Sequence, residues 1–131
     1  MKQPMQALLI APELGMREAI HNHSKEITIR EGHRAYNAGA AMLCCQILPW
    51  AVMVDITNVR HCLAKEVARE EYEADGFASL GDMCEQMKRF YPNFGMNSDV
   101  TVVRWTNARG FFVDHPEEYA VHHESVKRII G

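Results

Sequence analysis

No apolar run in the sequence approaches the roughly 20 residues that cross a bilayer, and no basic start leads into an apolar signal segment. The expectation is a cytoplasmic protein without membrane contact, whose thiols stay reduced. Its four cysteines, at 44, 45, 62 and 84, lack the two-residue spacing by which paired thiolates grip one zinc ion, so they read as buried thiols. Positive charge is not in excess either. Fourteen Lys and Arg against 17 Asp and Glu leave a formal charge of -3, which argues against a protein that coats nucleic acid non-specifically. A local basic pocket stays open. No repeat, linker or low-complexity tract divides the 131 residues, which read as one domain.

What is present is ordinary globular patterning, with 47% hydrophobic and 24% charged residues. Residues 6 to 10 read as a short buried strand, and Pro12 with Glu13 opens a helix that ends in the polar run His21-Asn22-His23-Ser24. An apolar block at 41 to 45 follows Gly39. From Trp50 to Thr57 the alternation is plain, Val52, Val54 and Ile56 pointing one way and Asp55 and Thr57 the other. Residues 63 to 72 read as helical. A second helix is capped by Ser79, with Leu80, Met83, Cys84, Met87 and Phe90 on its stripe and Pro92 as its stop. Asp99 to Trp105 returns as a strand, and the tail from Pro116 carries an amphipathic helical pattern. This order has too few βα alternations for a doubly wound parallel sheet. It predicts an α+β fold, a small curved β-barrel flanked by helices.

Residues 25 to 30, Lys-Glu-Ile-Thr-Ile-Arg, concentrate polar groups on a strand signal. Alternation sets Ile27 and Ile29 on one face and Glu26, Thr28 and Arg30 on the other, a face that is either solvated or a site. Lys25 shares its parity with Ile27, so only a bend before the strand brings its amine toward Thr28.

Lys25 to Arg30, then Tyr36 and Gly39, then Asp75-Gly76-Phe77, Phe90-Tyr91-Pro92 and Val100 to Trp105, together resemble the ASCH domain family. These are small barrels related to the PUA RNA-binding fold, and the resemblance covers about residues 6 to 107. Residues 108 to 131 stand outside it as a C-terminal extension. Within the family the chain looks most like the small bacterial proteins that hydrolyse N(4)-acetylcytidine with a lysine, a threonine and an acid. The resemblance therefore implies Lys25, Thr28 and Asp75 as the catalytic group. Where the family usually carries glutamate this chain has the shorter Asp75, with Glu73 close by; His23 and Ser24, and Ala40 after Gly39, also depart from the family pattern.

Amide hydrolysis needs a nucleophile, a base and donors where the oxyanion develops. Thr28 has the hydroxyl, a lysine amine can serve as base only where burial or a neighbouring cation such as Arg30 lowers its pKa, and Arg30 can also hold a phosphate or a base edge. Arg34 and Tyr36 read as substrate-binding, ring and guanidinium flanking a base. Glu73 joins them. Each residue also has an ordinary reading: Thr28 and Arg30 as the wet side of a strand, Lys25 as a surface lysine, Asp75 as a turn residue. His21 and His23 read as rim residues and His122 and His123 as tail-helix positions, with no metal implied, and no cofactor is expected. Cys44 and Cys45, and the methionines at 42, 53, 83 and 87, read as core. The functional expectation is a nucleoside or RNA partner, with amidohydrolysis of an acylated cytidine ahead of a non-catalytic RNA- or nucleotide-binding module. An interaction protein using its C-terminal helix is the third reading.

Overall fold

The computed structural model describes residues 6 to 10, 16 to 45 and 50 to 113. The first helical turn expected at Pro12, the tail helix from Pro116, and His122 and His123 lie outside them. Five strands and three helices follow in the order β1 (Gln6–Ile10), α1 (Met16–His21), β2 (Ile27–Glu31), β3 (Gly39–Cys45), β4 (Trp50–Leu63), α2 (Arg69–Ala74), α3 (Leu80–Met87) and β5 (Asp99–Val113), with a 3-10 turn at Ala64–Glu66. The sheet order is β1-β3-β4-β5-β2. It is mixed, with β1 parallel to β3 and β2 antiparallel to β5. The fold is α+β, as the element order of the sequence implies. Among the described residues no helix is long and apolar enough to cross a membrane.

The residues group into two compact units. One holds the described residues up to 25, from 39 to 55 and from 106. Leu8 and Ile10 of β1 and Ala41 and Leu43 of β3 are buried there, as are Val52 and Val54 of β4, which bear out the alternation seen in the sequence. Cys44 and Cys45, expected in the core, are only half-buried because they sit where β3 ends. Asn107 takes a left-handed φ of 58° inside β5, and its amide and Arg109 both donate to Asp55, at 2.9 and 3.0 Å. These two bonds hold the Asp55 carboxyl below its ordinary range.

The other unit comprises residues 26 to 38 and 56 to 105. Ile27 and Ile29 join Val100 and Val102 on one sheet face, against Met83, Cys84 and Met87 of α3, with Ala64, Val67 and Phe94 completing the core. Ser79 caps α3, its hydroxyl accepting from the Asp82 N–H at 3.0 Å. The helix ends at Met87, so Phe90 falls past it and stands 48% exposed rather than on the apolar stripe.

The single helix expected over 63 to 72 is instead the end of β4, a 3-10 turn, an extended Val67 and the short α2. Two glutamates divide it. Glu66 reaches back to the Leu63 N–H and Glu71 to the Ala68 N–H, each at 2.8 Å, and each starts its own turn. Glu71 is buried and ion-paired with Arg60 of β4, which also donates to the Glu66 carbonyl. Burial pushes the Glu71 carboxyl up, but the hydrogen bonds from Arg60 and from the Ala68 N–H, with the Arg60 charge, outweigh it and leave the group below its ordinary 4.5.

Candidate functional site

The hydrogen bonding of β2 decides what its residues can offer. Trp105 N–H donates to the Glu26 carbonyl at 3.1 Å and Gly32 N–H to the Asp99 carbonyl at 2.7 Å, with Thr28 opposite Val103 and Arg30 opposite Thr101. The even-numbered residues therefore bond to β5, and the odd-numbered N–H groups point off the sheet edge. One of these, on Ile29, donates to Asp75 Oδ2 at 3.2 Å. The fold thus brings Asp75 to the residue next to Thr28, across 46 positions of sequence.

Asp75 is held there by the way α2 stops. Gly76 adopts a left-handed φ of 97°, its N–H bonds to the Glu73 carbonyl at 2.9 Å, and Phe77 N–H bonds to the Tyr72 carbonyl at 2.8 Å. This is a Schellman ending, with Tyr72 and Phe77 both packed on the core beneath it. Asp-Gly here terminates a helix rather than turning a hairpin. Glu73, one turn after Arg69, pairs with that residue, and both are well exposed.

Thr28 is not on a wet face. It is 8% exposed, and its hydroxyl has no hydrogen-bond partner among the described residues. Register puts Thr28, Arg30, Thr101, Val103 and Trp105 on one face of β2 and β5. Trp105, diagonal to Thr28, is 2% exposed, and its indole N–H is likewise unpartnered among the described residues. Buried polar groups are overwhelmingly paired, so the indole N–H asks for an acceptor that the described residues do not supply.

Lys25 belongs to the other unit. It is half-buried and follows a bend: His23 takes a left-handed φ of 70°, and Lys25 N–H closes on the Ala19 carbonyl at 2.9 Å. Arg30 is half-buried on the Thr28 face. Arg34 and Tyr36 lie in the loop after β2, both half-buried. Arg34 N–H donates to Thr101 Oγ1 at 2.8 Å and its Nε to the Glu31 carbonyl at 2.9 Å. His23 is exposed. No group of three or more His, Cys, Asp or Glu among the described residues is placed to hold a metal ion.

Three residues escaped the sequence reading. Thr101, fully buried, donates its hydroxyl to the Gly32 carbonyl at 2.6 Å while accepting from Arg34. His33 and His61, both exposed, stack their rings at 3.7 Å and 12°. No local pattern marks them, because their partners lie 27 to 69 residues away. Burial raises the thiols of Cys44, Cys62 and Cys84, which keeps them protonated and unsuited to nucleophilic attack.

This arrangement of strands and helices matches a solved structure, a mutant form of the ASCH protein of Zymomonas mobilis, with a TM-score of 0.55 over 78% of this chain and 68% of that one. The fold is of the ASCH type. Sequence identity across the match is 10%, so the likeness is one of fold. No protein-family model matches the sequence, and no curated protein matches it significantly.

Proposed function

We propose that the polar face of β2 and β5 in this ASCH-type fold binds a nucleoside or a nucleotide of RNA, and that the chain hydrolyses an acylated cytidine of the N(4)-acetylcytidine kind. The observation that carries the reading is the Trp105 indole N–H, buried and unpartnered among the described residues, on the face that also holds the Thr28 hydroxyl, which makes no hydrogen bond among them. In the hydrolytic reading Thr28 attacks the acyl carbonyl, Lys25 takes its proton, and Asp75 orients the group from the β2 edge. Arg30 and Arg34 supply positive charge to the bound nucleoside or its phosphate. The acyl group passes to Thr28 as the cytosine amine leaves with a proton, and water releases it as the free acid.

One observation favours binding without chemistry. The Asp75 carboxylate already accepts the Ile29 N–H, a structural task that a shorter acid at this position performs well. Incubation of the protein with N(4)-acetylcytidine, beside Lys25→Ala and Thr28→Val, separates the two readings. Cytidine released by wild type and by neither variant supports the hydrolase. Binding of the nucleoside without turnover leaves the non-catalytic module, and absence of both removes the face as a site.

A further inference from the structure

We propose that the stacked imidazoles of His33 and His61, with Arg34 next to His33 in the chain, form a preorganised platform for a nucleobase and its phosphate. The inference deepens the reading of the Thr28 face as a ligand face, since Thr101 on that face anchors the platform's loop, but it requires no chemistry at Thr28.

The two rings come from separate elements, His33 from the loop after β2 and His61 from β4. Exposed polar rings gain little by stacking on each other in water, so what holds them together is the backbone. Gly32 turns the chain with a φ of 91°. The buried Thr101 hydroxyl then clamps both neighbours of His33, donating to the Gly32 carbonyl at 2.6 Å and accepting the Arg34 N–H at 2.8 Å. On the other side His61 Nε2 bonds to the Arg34 carbonyl at 2.9 Å, which fixes that ring. With a carbonyl as partner, Nε2 carries the proton and donates it.

Three hydrogen bonds thus hold two parallel, exposed aromatic faces, and a third planar ring that joins the stack pays little ordering entropy to do so. The ring that suits this place also carries negative charge. Arg34 uses Nε on the Glu31 carbonyl, and neither terminal guanidinium nitrogen has a hydrogen-bond partner among the described residues. That fork matches a phosphate. A flat heterocycle joined to a phosphate is a nucleotide, supplied either free or as one residue of a single strand, where stacking on aromatic rings is the usual mode of recognition.

The test uses the full chain and three probes, cytidine, cytidine 5'-monophosphate and a cytidylate tetramer, followed by the ring-proton resonances of His33 and His61 and by calorimetry. Both histidines should shift upfield on binding. His33→Ala should weaken the phosphate-bearing probes at least about fivefold, while His33→Phe, which keeps a planar ring, holds them within about twofold. Arg34→Gln should weaken the monophosphate more than it weakens cytidine. His61→Ala serves in the same way as His33→Ala if that variant fails to fold. Equal affinity for monophosphate and tetramer assigns the platform to free nucleotides; tighter binding of the tetramer assigns it to a strand. Unchanged affinity in both alanine variants, or no binding of any probe at millimolar concentration, overturns the proposal. Hydrolysis of acetylcytidine with an unaltered KM in His33→Ala would overturn the platform and leave the hydrolase standing. Loss of binding in that variant, with no hydrolysis by wild type, would do the reverse.

Discussion

Replacing Glu71 by Gln should cost about 2 kcal/mol, and most of that loss should disappear in acid. The carboxylate accepts from Arg60 Nε and Nη2 and from the Ala68 N–H. Breaking a buried ion pair by removing one partner costs about 3–5 kcal/mol. Here Glu71 is 7% exposed but Arg60 is 39% exposed, so the orphaned guanidinium recovers water and the lower end applies. Glutamine also keeps one acceptor for the Ala68 N–H, which brings the figure to about 2 kcal/mol, or about 8 °C in Tm for a chain of this length. The sign with pH follows from the depressed carboxyl. Its stabilisation is complete above the ordinary value of 4.5 and is lost as pH falls through the lower folded value. Thermal melts of wild type and Glu71→Gln from neutral pH to about pH 3 should therefore converge at the acid end. A gap that stays constant over that range would refute the argument, since it would mean that the carboxylate's charge contributes nothing.

Two further expectations concern the elements that place Asp75 and close the core. Gly76→Ala should destabilise by about 1–2 kcal/mol purely through its left-handed backbone, because an added Cβ there meets nothing within 4 Å; a denaturant midpoint equal to wild type would contradict this. Met83→Ala, at a fully buried site between β2, β5 and the end of β4, should cost about 2–5 kcal/mol by chemical denaturation, with m unchanged.

The parts of the fold legible in the sequence were those set by local periodicity. Val52, Val54 and Ile56 alternate into the core as their spacing implies, and Ser79 begins α3 where a cap belongs. What local pattern hid was decided by partners far along the chain. β4 continues through the polar Asn58, Arg60 and His61 because Arg60 finds Glu71 and His61 finds the Arg34 carbonyl. Likewise β5 runs on to Val113, through the first residues of what reads as an extension. At the site, parity alone put Thr28 and Arg30 on one face. It could not say that Thr28 is buried, that Asp75 meets the adjoining N–H, or that Thr101 anchors a pair of stacked histidines.

The carboxylate at the margin of β2 has one more consequence. Among the described residues β2 ends the sheet, and its outward N–H groups are what an intruding strand from another copy would seize. Asp75 occupies the middle one, on Ile29, so that this N–H is already taken. The residue that fits a catalytic acid by resemblance therefore also covers part of a sheet edge. A chain that had lost its chemistry would still have reason to keep it.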